Sequence, residues 1–116
     1  MTANEFRCWD KVDGMKYFNL EDLQKNLVNP FHGVYEVPVM RFTGLKDRKG
    51  NKIYEGDIGE GIYATYVVIW SEDKAQFNVK IIKTDSVLIK HATFPLWQYV
   101  QDSGECRFEV IGNIHE

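Results

Sequence analysis

The stretch from Phe42 to Ile58 constrains the fold more than any other, because it sets two apolar edges around polar, glycine-bearing turns. Lys46 to Lys52 reads as a hairpin connection. Asp47 can accept a hydrogen bond from the backbone two residues on, and Gly50 can take the positive φ that such loops need. Phe42–Leu45 and Lys52–Tyr54 then pair as antiparallel strands across a loop of about four or five residues. Glu55, Gly56 and Asp57 form a second sharp turn, with Gly56 again supplying a conformation closed to residues that carry a Cβ. A hairpin, a turn and a long strand in succession predict the start of a small barrel.

From Tyr35 onward the sequence predicts strands. Pro38 cannot donate to a ladder, so its part of the 35–43 strand is expected at an edge or a bulge. Ile62 to Trp70 is the longest candidate, apolar on both faces as a central strand requires. Gln76 to Ile81 alternates, with Phe77, Val79 and Ile81 inward and Gln76, Asn78 and Lys80 outward. A further strand is expected from Val87 to His91, with His91 on the face of Val87 and Ile89 and partly buried. Pro95 to Val100 reads as one helical turn with Pro95 near its first position. The last strand is expected to turn Cys106, Phe108 and Val110 inward against Arg107 and Glu109. Tight turns without crossover helices predict a mainly β, closed antiparallel barrel or roll.

The N-terminal third reads differently. Glu5–Trp9 and Met15–Phe18 are short strand candidates around Asp13 and Gly14. A two-residue turn there would set Lys11 opposite Lys16, so a four-residue turn is expected. Asn19 is placed as an N-cap, with Glu21 and Asp22 in the first turn of a short helix whose Leu20, Leu23 and Leu27 share a face. Asn29 and Pro30 end it. The expected organisation is an N-terminal hairpin-plus-helix segment over 1–40, packing on or between barrels, and a barrel over 41–116.

Composition excludes several classes. The chain has 116 residues, 44% hydrophobic and 14% aromatic, enough for a packed core and well above disordered chains. A net charge of −3 gives no global pull toward nucleic acid or acidic membranes. No apolar run approaches the roughly 20 residues that span a bilayer, and the first residues lack a basic-then-apolar signal. A cytoplasmic protein with no membrane partner is expected. Cys8 and Cys106 are read as buried thiols rather than a disulfide or a metal site.

Residues that could carry chemistry are few. Glu55 and Asp57 could act as paired carboxylates or cation ligands, but a glycine lies between them and no further oxygen donor sits at loop spacing. They are read as turn-stabilising acids. His32, His91 and His115 share no ligand spacing with each other or with the cysteines, so neither metal nor cofactor is expected. Nothing local activates Cys8 as a nucleophile, and the glycines of 56–61 lack the lysine or helix of a phosphate cradle. Arg41, Lys46, Arg48, Lys49 and Lys52 fall within twelve residues holding one acid, Asp47. They are the candidate nucleic-acid contact, with Trp70, Trp97 or Tyr99 as stacking surfaces, set against the plainer reading of a solvated turn that protects an edge.

The block Thr43 to Ile58, followed by Val110 to Glu116, resembles the YopX family. Phe6 to Asp10 and Met15 look like that family's opening. The motif positions Thr43, Gly44, Leu45, Asp47, Gly50, Ile53, Tyr54, Glu55, Gly56, Asp57 and Ile58, with Ile111, Gly112, Asn113 and Ile114, are taken as structural. The resemblance implies a bacteriophage or prophage protein with an SH3-like barrel in its C-terminal portion, no activity to carry over, and homo-oligomers. Gly59 departs from the family, where a branched apolar residue is usual, so its strand is expected to start late or bulge. Relatives often continue with a short tail past Glu116. The function expected is a non-enzymatic interaction or scaffold protein that self-associates or captures a phage or host protein. Trp9, Phe18, Leu23, Leu27 and Phe31 are the candidate oligomer contact, and the alternative is a weak nucleic-acid binder using the basic hairpin.

Overall fold

The computed structural model describes residues 5–10, 12–19, 21 and 39–116. Among these described residues nine strands follow in order: β1 Glu5–Asp10, β2 Gly14–Asn19, β3 Val39–Lys46, β4 Lys52–Tyr54, β5 Asp57–Glu60, β6 Ala64–Ser71, β7 Gln76–Thr84, β8 Thr93–Pro95 and β9 Glu109–Asn113, with one 3₁₀ turn at Leu96–Tyr99. The protein is therefore mainly β. The strands form two sheets, ordered β2-β1-β3-β4 and β8-β7-β6-β5-β9, and every ladder is antiparallel. Where a closed shell was expected, the ladders thus leave β2, β4, β8 and β9 as outer strands. A lone parallel bridge joins Lys46 to Glu105. β3 crosses the expected boundary between positions 40 and 41, pairing with β1 through Val39–Arg41 and with β4 through Phe42 and Lys46.

The core is built from both sheets, with β4 of the first packing against β6 and β7 of the second and the segments at 96 and 106–108. Ile53, Val68, Val79, Leu96, Cys106 and Phe108 form a contiguous buried cluster. Val68 and Val79 face each other across β6 and β7, because alternate residues of a strand share a face. Burial pushes the Cys106 thiol up to about 11 and also raises Cys8, so both sit as protonated buried thiols, unbridged.

The turns follow from their residues. Gly50 and Gly56 adopt φ of +86° and +84°, the region a Cβ disfavours. Asp10 pairs with Gly14, so three residues separate them rather than the expected four. Lys16 lies opposite Cys8 and bridges Asp10 and Asp13. Asn19 closes β2. The rest of the expected helix, with Leu20, Asp22, Leu23 and Leu27, lies outside the described residues, as do Phe31, His32 and Pro38, and Glu21 alone is described there.

Gly59 answers to a close approach. β5 starts on time at Asp57, and its register against β9 shifts between Ile58 and Gly59, with the extra residue, Ile111, on β9 and not on the Gly59 strand. A Cβ at Gly59 would overlap the ring of buried Phe108, reaching within 2.8 Å of Cε1. Gly59→Val should cost about 3 kcal/mol of stability in urea unfolding, and Phe108→Leu in that background should recover part of it. Equal stability of Gly59→Val and the parent would show that the ring moves freely.

Several strand expectations are corrected. Positions 87–91 form turns rather than a strand, and the strand beyond β7 is the three-residue β8. Val87, Leu88 and Ile89 form an unbroken apolar run, which gave no alternation to separate strand from loop. His91 is exposed with φ +70°, not tucked beside Ile89. Ile62 and Tyr63 precede β6 in an exposed bend, and β7, with nine residues, is longer than β6 with eight. The last strand starts at Glu109, after Cys106 and Phe108 have already entered the core. Asn78 is buried rather than outward, accepting from the Gln76 amide at 2.8 Å.

Candidate functional site

The family-like acids occupy the joints of the fold. Asp47 is wholly buried. Its Oδ1 accepts from the backbone N–H of Lys49 at 2.9 Å and of Asn51 at 2.8 Å, and its Oδ2 from the N–H of Val110 at 2.8 Å and the Asn51 amide at 3.2 Å. The first pair shapes the hairpin tip, and Val110 ties that tip to β9. Burial works against the charge, but the donors from Val110, Asn51 and Lys49 outweigh it, so the carboxyl is held below its ordinary value. The tip is stitched further by Cys106 N–H to Lys46 O at 2.8 Å and Arg48 N–H to Phe108 O at 3.1 Å.

Asp57 makes the second joint. Its Oδ2 accepts from Tyr54 N–H at 2.8 Å and its Oδ1 from the Arg7 guanidinium at 2.6 Å, while the same Arg7 nitrogen donates to Glu55 O at 3.0 Å. Arg7 is buried and lies over the Tyr54 ring, 4.8 Å from its centroid. Burial raises Asp57, and the Tyr54 N–H and Arg7 only partly offset it. Glu55 Oε1 accepts from Arg41 N–H at 3.0 Å and Arg41 Nε at 2.7 Å. Glu55 and Asp57 therefore meet different arginines, and each also receives a backbone N–H. Among the described residues no three His, Cys, Asp or Glu side chains gather as a metal set.

The remaining motif positions serve the same joints. Thr43 Oγ1 donates to Ile53 O at 2.7 Å and accepts from Leu45 N–H at 3.2 Å, flanking Gly44 where β3 shifts register. The two sequence blocks meet directly: Asp57 pairs with Asn113, Ile58 with Gly112, and Ile114 N–H donates to Gly56 O at 2.9 Å. Asn113 Oδ1 accepts from His115 N–H at 2.9 Å, while Ile111 is exposed on the outer face.

A cleft of about 670 Å³ opens on one face of the first sheet. Registry puts Arg7, Tyr17 and Met40 side by side on that face, and Tyr17 reaches Tyr54 edge-on at 5.6 Å, so the outer strands β2 and β4 curl toward each other. Lys52 and Glu5 close one rim with contacts of 2.9 and 3.0 Å. The cleft walls thus carry matched charges.

The sequence-predicted sites are dispersed. In the basic hairpin, Arg41 pairs with Glu55, Arg48 with Glu109 at 3.2 Å and Lys52 with Glu5, which leaves Lys46 and Lys49 facing solvent without a carboxylate among the described residues. Trp70 is covered by Arg41, 4.2 Å from its centroid, and Trp97 is exposed. Of the candidate oligomer contacts, Trp9 stacks on His115 at 5.9 Å, and Phe18 is buried against Phe6 at 5.8 Å. Leu23, Leu27 and Phe31 lie outside the described residues.

Sequence reasoning missed an exposed apolar end. Ile62 and Tyr63 are 86% and 82% exposed, and Val87 and Leu88 are 86% and 91% exposed. The two loops adjoin, since Ala64 pairs with Thr84 and Thr84 Oγ1 donates to Tyr63 O at 3.2 Å. Next to them a pocket of about 250 Å³ is lined by Tyr66, Tyr99, Arg107 and Phe108. The one available signal was Val87-Leu88-Ile89, apolar at consecutive positions between turn residues.

A mainly antiparallel β protein whose recurrent acids are spent on joints is the class this geometry defines. The chain matches the family described as YopX protein over residues 18–116, and it belongs to that family. Asp47, Asp57 and both motif blocks fall inside the match, whereas Arg7 falls outside it. No curated protein matches the chain. No helix among the described residues is long and apolar enough to cross a membrane.

Proposed function

We propose that the chain is a non-enzymatic interaction protein of phage or prophage origin, working in the bacterial cytoplasm, whose apolar end contacts another protein, a second copy of itself first. The exposure of Ile62, Tyr63, Val87 and Leu88 on two adjoining loops carries this reading. Clustered side chains of that size are rarely left to water on a monomer, and patches of several hundred Å² mark contact faces. The engagement of Asp47, Glu55 and Asp57 by backbone and arginine donors supports a scaffold rather than a catalyst. The nucleic-acid reading stands second, because pairing of Arg41, Arg48 and Lys52 with acids leaves it Lys46 and Lys49.

Sedimentation across a range of concentrations tests the self-association. The mass is expected to rise above the 13.5 kDa of one chain. Ile62→Asp with Leu88→Asp should return it to the monomer with the fold intact by circular dichroism. A monomer at every concentration would remove self-association from the proposal.

A further inference from the structure

The pocket beside the apolar end combines shape and charge in a way the exposed loops alone do not. Gly61 lets the loop backbone lie against Tyr66, since a Cβ there would stand 3.0 Å from the ring. Tyr66 meets Tyr99 edge-on at 5.1 Å and Phe108 at 5.7 Å, giving an aromatic floor and wall. Burial, then Tyr66, pushes the Tyr99 hydroxyl up to about 12, so this wall stays uncharged. Arg107 lies over Tyr99, 4.8 Å from its centroid, and lines the same pocket.

Arg107 is the charged side chain lining this pocket, and no carboxylate among the described residues pairs with it. Its sequence neighbours at alternate positions are Glu105 and Glu109. Glu109 is taken by Arg48 at 3.2 Å, and Glu105 turns toward Gly50, its Oε2 lying 3.8 Å from where a Cβ would stand. Neither forms an ion pair with Arg107, which is exposed. Aromatic and arginine side chains around a small pocket are the composition of interface anchor sites.

We propose that this pocket anchors one apolar side chain of a partner protein, with a carboxylate next to it in the partner's sequence held by Arg107. It rests on reading the apolar end as a contact face and adds the chemistry of what is held there. A volume of about 250 Å³ suits a single side chain rather than a sheet of lipid. One cation between two glutamates accommodates one carboxylate and opposes a run of phosphates.

The test uses two probes on the full chain, acetyl-Gly-Phe-Asp-Gly-amide and acetyl-Gly-Phe-Lys-Gly-amide, followed by ¹⁵N–¹H spectra. Saturable shifts at Gly61, Tyr63, Tyr66 and Arg107 are expected, with affinity for the acidic probe about threefold to fivefold higher, the worth of one exposed ion pair. Arg107→Gln should remove that preference, lowering the melting temperature by no more than the few degrees that loss of its contact with Tyr99 is worth. Leu88→Asp should leave the preference in place. Equal affinity for the two probes, or no binding of either, overturns the proposal whatever sedimentation shows. Saturating shifts at Tyr66 and Arg107, inside the pocket, on concentrating the protein alone, or with phosphatidylserine–phosphatidylcholine vesicles but not peptide, overturn it too, and assign the pocket to a second copy or to lipid.

Discussion

Asp47→Ala is expected to cost about 3 to 5 kcal/mol, a large share of the 5 to 15 kcal/mol by which a domain is stable. The substitution strips the acceptor from the backbone N–H groups of Lys49, Asn51 and Val110 together. Each lost charge-assisted bond counts for roughly 1 to 3 kcal/mol where water cannot replace it, and solvent at the tip replaces part. The Val110 bond is the one to watch, because it spans 63 residues of sequence and fastens the hairpin to β9. Urea unfolding gives the magnitude, and hydrogen exchange at Val110 gives the site. A loss under about 1 kcal/mol would show that the tip holds without its carboxylate.

The pH dependence of this joint has a definite sign. Asp47 is held below its ordinary 3.8 in the fold. Its contribution is therefore complete above about pH 4 and is lost as pH falls through the lower folded value. Asp47→Asn should be less stable at neutral pH and should flatten the acid limb of the stability curve. Asp57 runs the other way: its folded value is raised above 3.8, so its contribution is present below 3.8 and declines as pH climbs through the folded value.

Arg7→Ala carries the second large effect, about 3 to 5 kcal/mol, because it leaves the Asp57 carboxylate buried with only the Tyr54 N–H as donor. Arg7→Met combined with Asp57→Asn should lose less than Arg7→Ala alone, since no uncompensated charge remains inside while the oxygen of the introduced amide can still accept from Tyr54. The Arg7→Ala deficit should shrink as pH falls and Asp57 takes up a proton. Equal losses for the single and the double variant would show that the pair contributes nothing through its coupling.

The hairpin at 46–52 and the turn at 55–57 were legible in the sequence because glycine and aspartate chemistry is local: Gly50, Gly56 and the Asp47-to-Lys49 bond stand as expected. β7 was legible through its alternation. The joint at Arg7 and Asp57 was not, since 50 residues separate the partners and nothing near Arg7 marks its neighbour. Positions 87–91 misled because three successive apolar residues fit a strand as well as an exposed loop, and only the turn at His91 decides between them. Arg48 and Lys52 looked like free charges because Glu109 and Glu5, which meet them, are remote in the chain.

β3 gives its Val39–Arg41 half to the N-terminal hairpin and its Phe42–Lys46 half to β4. The two regions therefore share one strand. A version beginning at 41 would lose Arg7 from beneath Asp57 and, with Val39 and Met40, the half of β3 that seats the hairpin. Any lineage that trades the front of this gene must carry a replacement for both.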